Sequence, residues 1–520
     1  MGSGGAYMHI KELRTDLTWK MVSDPLYGYV YFNTEIEEPI INSIILQRLR
    51  YIMQLQTAHY VYPGAVHTRF QHSLGVMHLA GLMTEDLLYK VVSIYGKEAL
   101  EGYEPATIVE ASRISGLLHD VGHAAFGHAF EYALLWRKNL PRELSNHEKI
   151  GYLLVKNIIE DQLEKVDKNL SGFKELVYTL LGDSEPRGIA SLLKWIIKDG
   201  YYPADILDFL RRDSYYAGTS EYGSIMYERL YKNSYPILLG DKFEIVIDRV
   251  ALGEFKQYMR AKASMYEHVY YHSVCRSFDR ILYDIIYYLD PEIGLTDRVL
   301  RVKHDDVEGY LELTDAFFYA IMMSKALRDK TRVGELCRRL IVERKPEWRR
   351  IGRDVSLSVY KGLDALKTAL KLVLDSEYRK KVIESVHEVI IEDLKKHNLS
   401  GEDLWLDVLD ITPLPRSTIY PSSEQMNPPL VLRVGKRSGR KITISEELDI
   451  VSEELPIEVI FRLYVARNKY SVDLELPATQ ALLNAINTVL GIDVLTVSKA
   501  VKDIYTSYTG RDYYKVKLTM

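Results

Sequence analysis

The chain has 520 residues, of which 47% are hydrophobic and 27% charged, enough for a large core and more than one domain, which excludes a disordered chain. Its net charge of −5 excludes a globally basic nucleic-acid coat, while local basic patches, and so nucleic-acid binding, stay open. Only two cysteines, Cys275 and Cys337, are present, too few for a disulfide scaffold or a thiolate zinc module.

The opening MGSGGAYMH has small residues and no signal-peptide core, so it reads as a leader. Ile41, Ile44, Ile45, Leu49 and Ile52 recur at helical spacing and predict one amphipathic helix. A second helix is predicted from about His72 to Tyr89, with Val76, Leu79, Met83 and Leu87 on one side. ISGLLHD closes a further apolar helix, and another begins after Pro203. Lys242–Arg249 carries a strand signal, and residues 376–397 read as a charged surface helix. The texture changes near Ile411, where ITPLPRSTIYPSSEQMNPP reads as a linker. Strand-like runs LVLRV, KITIS and IEVIFRLYVAR follow, then helix near 476–508.

These elements predict a mainly α fold: a leader over 1–23, a large helical domain over 24–410 and a smaller C-terminal α+β lobe over 411–520. There is no Walker loop, no dinucleotide fingerprint and no apolar run of the ~18 residues that a membrane span requires. A cytoplasmic home is expected, and thirty-nine tyrosines with abundant Lys, Arg and Glu point to a thermophile.

Eight of the fourteen histidines fall between His59 and His147. Clustered imidazoles repel once protonated, so they call for a shared task or a shared cation. In GLLHDVGHAAFGHAFE, His119 and Asp120 both reach one edge of a helix, and His123 extends the same face if the helix continues. His128 and Glu131, three apart, suit a carboxylate orienting an imidazole. Upstream, His72 starts a helix with Arg69 beside it. Downstream, Asp205, Phe209 and Asp213 share one helix face. Imidazole with carboxylate suits zinc, iron, manganese or nickel, and an open position for water would make such a site catalytic.

The motifs DPLYGYVYF, QRLRYIMQL, VYPGAVHTRFQHSLGVMHLAG, GLLHDVGHAAFGHAFE, NHEKIG and DILDFLRRDSYYAG appear in this order. Together they resemble the HD-domain metal-dependent phosphohydrolases. Within them they are most similar to the deoxynucleoside triphosphate triphosphohydrolase branch, and there to the SAM- and HD-domain enzymes, with no separate SAM domain expected before Asp24. The resemblance is dense from Asp24 to Gly218. It implies an HD-domain helical bundle with a divalent metal on His72, His119, Asp120 and Asp205, and it brings magnesium in with the triphosphate. It implies hydrolysis of a dNTP to deoxynucleoside and triphosphate, with His128 as proton donor, Glu131 orienting it, and His123 and His147 on phosphate oxygens. Gln54, Arg69, Asp213, Tyr270 and Lys262 match substrate contacts. Lys20, Asn42, Gln47 and Arg50 match a regulatory nucleotide site at subunit contacts, so an activating nucleotide and a homo-oligomer, dimer or tetramer, are implied.

Two departures stand out: Ile206 replaces a lysine and Phe209 a tyrosine. They keep a second reading open, an HD phosphodiesterase or phosphatase for another phosphate ester. A third is a non-catalytic nucleotide or single-stranded nucleic-acid binder. Lys436–Lys441 (KRSGRK) is a basic turn expected to face solvent.

Overall fold

The computed structural model describes residues 16–358, 363–412, 430–434, 444–450 and 457–492. The chain packs into two compact units, 1–345 with 417–454, and 346–416 with 455–520. The boundary expected at 410 thus falls inside the second unit. The first unit is helical, with β1 (Trp19–Asp24) and β2 (Gly28–Asn33) as an antiparallel hairpin at its start. Residues 19–24 are therefore ordered strand, where the sequence reading placed the end of a leader.

Seven helices carry most of what concerns the site: α1 (Arg69–Tyr95), α2 (Pro105–Leu118), α3 (His147–Ile158), α4 (Ala204–Ala217), α5 (Leu252–Met265), α6 (Ser273–Ile293) and α7 (Asp315–Arg328). A capping box between Thr68 and Gln71 starts α1 three residues earlier than the apolar pattern alone suggests. Val76, Leu79, Met83 and Leu87 are all fully buried along it.

The single helix expected around Ile41–Ile52 is instead three short pieces, Glu37–Ile41, Ile44–Gln47 and a 3-10 turn over Arg48–Tyr51. Ser43 is extended (ψ 152°) and breaks it. The break turns Ile44 outward, 56% exposed, while Ile45, Leu49 and Ile52 stay in the core. Arg48 explains the fold here better than periodicity does. Its buried guanidinium donates to the carbonyls of Val121, His123, Leu311 and Leu313. Four charge-assisted bonds offset the cost of burying that charge.

A four-stranded sheet completes the unit in the order β3 (Ser234–Leu239), β4 (Lys242–Asp248), β8 (Leu430–Val434), β9 (Ile444–Ile450). The strand signal at 242–249 is β4, and LVLRV is β8. In the second unit, β10 (Glu458–Ala466) pairs antiparallel with β5 (Trp348–Arg350), β6 (Val355–Ser358) and β7 (Leu404–Ile411). Helices Leu363–Leu374, Ser376–Leu394 and Glu475–Leu490 accompany this sheet. The segments 1–15, 413–429 and 435–443, which include the linker and the basic turn 436–441, and the end of the last expected helix beyond 492, lie outside the described residues.

Candidate active site

The site grows from the ends of four helices in the first unit. The first turn of α1 carries Arg69 and His72, and the first turn of α4 carries Asp205. Helix α2 stops at Leu118, so His119 is its C-cap and Asp120 begins a tight turn. The helix does not continue to His123, contrary to the shared-face expectation. Gly122 allows the turn: a Cβ there would lie 1.9 Å from the His147 carbonyl oxygen and 2.4 Å from Gly151 N. This close approach brings α3, with His147 at its first position, onto the loop.

Two clusters result. In the first, ligand-type atoms of His72, His119 and Asp205 lie within 4.8 Å of one another. His72 Nε2 is 3.1 Å and His119 Nε2 3.5 Å from Asp205 Oδ1. His72 Nδ1 meets Asp208 Oδ2 at 2.8 Å, and His119 Nδ1 meets the Gly116 carbonyl at 2.7 Å. Carboxylates and carbonyls only accept, so both Nδ1 atoms donate, and each Nε2 turns toward Asp205, where either a proton or a cation must lie between nitrogen and carboxylate. His119 Nε2 is buried with no hydrogen-bond partner. Asp120 Oδ1 is 3.4 Å from His119 Nε2 and its Oδ2 3.9 Å from His72 Nε2, while Arg69 Nη1 donates to that Oδ2 at 2.5 Å.

Burial alone would lower the His72 pKa, yet the carboxylates of Asp205, Asp208 and Asp120 raise it to about 10. Asp205 and Asp208 are held well below the usual carboxylate range, against the opposing effect of burial, by His119 and His72 for Asp205 and by Arg212 and His72 for Asp208. The cluster therefore demands positive charge between the two Nε2 atoms and Asp205, a place that a proton on His72 or, in its stead, a divalent metal ion fits.

The second cluster contains His123, His128, Glu131 and His147. Glu131 joins it: Oε2 is 3.1 Å from His128 Nδ1, while Oε1 takes the His147 backbone N–H and its Nδ1. The His123 and His147 rings stack at 3.7 Å, 16° from parallel. His128 is open, its side chain 59% exposed, and it sits beyond Phe126 and Gly127, both at positive φ. Burial would raise Glu131, but His147 and His128 hold it far below its ordinary value. Burial opposes a charged His147, and Glu131 outweighs it and raises its pKa. His123 is lowered well below 6.5 by burial, then by the positive charges of Arg69 and His147.

The matched substrate contacts fall into three places. Asp213 Oδ1 is 2.8 Å from His67 Nε2, and its Oδ2 accepts from Tyr270 OH at 2.7 Å. Gln54 N donates to the His67 carbonyl, and Gln54 Oε1 is buried without a partner. Phe209 bridges this group to the metal-type cluster, its ring 6.5 Å from His72 and 6.2 Å from Tyr270. Lys262, 6% exposed on α5, forms no hydrogen bond or ion pair among the described residues. Burial lowers its pKa to about 8, with Asp205 opposing. Arg69 is 4% exposed and committed to Asp120.

The four residues matched to a regulatory nucleotide site surround the short helix Glu37–Ile41. Lys20 pairs with Glu38 at 2.9 Å, Asn42 caps the helix, Gln47 Nε2 donates to the Ile41 carbonyl, and Arg50 donates to Gln47. Arg50 also lies over the Phe70 ring at 3.6 Å.

Several residues that build the site escaped the sequence reading. Asp208 accepts from Arg212 through both oxygens and from Tyr27 OH, besides fixing His72. Its spacing of four from Arg212 was the available signal. Gly75 makes room for this network, since a Cβ there would lie 1.9 Å from Asp208 Oδ1. Tyr310 OH donates to the Gly122 carbonyl at 2.6 Å, and Asp315 accepts from Met53 N and Phe126 N. Burial pushes Asp315 up to about 7. Nothing near 310–315 in the sequence announces these long-range roles.

A model of the HD domain matches residues 69–199. The deoxynucleoside triphosphate triphosphohydrolase SAMHD1 of Bos taurus is 27% identical over 334 residues, 59% of this chain and 54% of the relative. The Homo sapiens protein of the same name is 25% identical over 428 residues, 76% of this chain and 63% of the relative. YwfO of Bacillus subtilis (strain 168), uncharacterised, is 30% identical over 321 residues, 61% of this chain and 64% of the relative. The chain thus spans between half and two thirds of the length of these relatives. A crystal structure of a hypothetical protein from Aquifex aeolicus superposes with a TM-score of 0.58 at 26% identity, covering 89% of this chain and all of that one. Among the described residues no helix is long and apolar enough to cross a membrane. The HD match opens at the first residue of α1 and takes in His72, His119, Asp120 and the whole second cluster, so the stretch that is similar to the HD domain is also the stretch that supplies most of the site.

Proposed function

We propose that the protein hydrolyses deoxynucleoside triphosphates to deoxynucleoside and inorganic triphosphate. The observation that carries this reading is the contact of the two clusters through His123, which lies 3.4 Å from Asp120 and stacks on His147. His72, His119, Asp120 and Asp205 hold the metal. When bound, a divalent ion such as iron, manganese, zinc or nickel supplies Lewis acidity and an acidified water. His128 donates a proton to the departing 5′ oxygen, and Glu131 fixes its ring with Nε2 outward. His147, whose proton Glu131 stabilises, binds phosphate oxygens, and His123 faces them as a neutral donor. Lys262, a buried ammonium without a hydrogen-bond or ion-pair partner among the described residues, takes a phosphate, and Arg69 shares in neutralising the chain, to which a magnesium ion carried by the triphosphate would add its charge. The Tyr270–Asp213–His67 group and Gln54 hold the sugar. Tyr270 closes the space that a 2′ hydroxyl would need.

A nucleotide site at Lys20, Asn42, Gln47 and Arg50, formed in a homo-oligomer, belongs to the same reading. Asn42 offers one acceptor and a donor where guanine recognition calls for two acceptors, so the activator need not be a guanine nucleotide. Ile206 and Phe209 favour a second reading, an HD phosphohydrolase for a different phosphate ester.

The test is incubation with each dNTP, alone and mixed with GTP or ATP, with manganese or magnesium, resolving products by ion exchange. Equal deoxynucleoside and triphosphate are expected, lost by about 10³-fold or more in Asp205→Ala together with the bound metal. Intact dNTPs alongside cleavage of another phosphate ester would select the second reading.

A further inference from the structure

A cavity opens beside the metal-type cluster on the α3 side. Its lining includes His119, Asp120, Asp205, His147, Glu148 and Lys198. The cavity is continuous with the residues of the first cluster, so a phosphate chain anchored there is directed toward Glu148 and Lys198. Among the lining residues Lys198 is the one permanent cation. Its ammonium is 3.2 Å from Glu148 Oε2, and the two side chains are 20% and 39% exposed. A half-solvated pair of this kind is weak, and a phosphate carrying more negative charge than one carboxylate can displace Glu148.

The backbone places Lys198 deliberately. The helix Gly188–Lys194 widens into a π turn over Trp195–Asp199, a rare conformation that clusters at functional positions. This turn runs directly into Gly200–Pro203 and the start of α4, so residue 198 and Asp205 face the same cavity. Ile206, one residue past Asp205, brings no charge to it.

We propose that Lys198 is a substrate-binding residue whose ammonium receives the terminal phosphate of the triphosphate chain, supplying from the π turn the charge that Ile206 lacks. This rests on the dNTP triphosphohydrolase reading. Glu148 is then a competitor that occupies Lys198 until the phosphate arrives.

Calorimetric binding of inorganic triphosphate to the metal-loaded full chain tests it, beside steady-state hydrolysis of a dNTP. Lys198→Met keeps the stem and removes the charge. It is expected to weaken triphosphate binding about tenfold or more and to raise KM with a much smaller change in kcat. Lys198→Arg restores both, Glu148→Gln tightens binding, and the Lys198→Met effect vanishes when inorganic phosphate replaces triphosphate. If the wild type cleaves dNTPs and Lys198→Met binds triphosphate equally well, this subsite is overturned and the parent reading stands. If the wild type neither cleaves dNTPs nor binds triphosphate, both fall.

Discussion

The two histidine clusters are built from the same residue types and have opposite electrostatic demands. Around the first stand two imidazoles, His72 and His119, and three carboxylates, Asp120, Asp205 and Asp208. The second has three imidazoles, His123, His128 and His147, and one carboxylate, Glu131. An excess of buried carboxylate calls for a cation, and an excess of imidazole calls for an anion. His123 sits at the seam, its pKa depressed by burial, Arg69 and His147, so it separates the two without carrying charge. The lesson is that one turn after α2 separates a cation side from an anion side, and the proposed reaction, on a phosphate chain beside a metal, would need both at once.

The strongest way to break this division is to disable the anion side alone. Replacing His128 by Ala is expected to lower kcat about 10²- to 10⁴-fold while metal content, read by elemental analysis, stays at the wild-type level. Loss of metal in this variant would mean the clusters are not separate. The next effect is on the cation side. Asp208→Asn leaves Asp205 in place and removes the carboxylate that fixes the His72 tautomer. Metal affinity is expected to fall about 10- to 100-fold, with activity recovered by excess metal. Activity that stays low at saturating metal would place Asp208 elsewhere in the chemistry.

How much of this was legible beforehand follows from the range of each interaction. His72, His119, Asp120 and Asp205 stand at helix ends, and helix ends leave local marks in sequence: a capping box at Thr68, a halt after Leu118, Pro203 before α4. The pairing of His128 with Glu131 is also local, three residues apart. Glu131 reaching across to His147, sixteen residues on, was not visible, because it depends on the Gly122 contact with α3. The break at Ser43 was missed for a related reason. The apolar period runs on through Ile44, and it is Arg48, anchored to carbonyls near 121 and 311, that dictates the local path. Periodicity reports which face is greasy and is silent on what a buried guanidinium binds.

A smaller effect sharpens the comparison within the second cluster. The folded-state pKa of His147 lies above its unfolded value, since Glu131 outweighs burial. The stabilisation from this pair is therefore complete below about pH 6.5 and is lost as pH rises through the folded value. Glu131→Gln removes the opposing charge, so His147 gives up its proton at lower pH. The alkaline limb of the kcat/KM profile is expected to move downward, and the alkaline loss of stability to flatten. An unmoved limb would show that the charge on His147 has no part in turnover.

The smallest expected effect concerns what holds the two sides apart. Tyr310, 1% exposed, donates its hydroxyl to the carbonyl of Gly122, between Asp120 and His123. Tyr310→Phe keeps the ring in the core and leaves that carbonyl one partner short, a cost of about 1–2 kcal/mol read by urea unfolding. Arg48 still holds the neighbouring carbonyls of Val121 and His123, so the turn keeps its path. Metal affinity should stay unchanged and kcat should fall by less than His128→Ala produces. If metal affinity and kcat instead collapse together, the separation of charges depends on a single hydroxyl, and the turn is a more delicate divider than its two guanidinium bonds suggest.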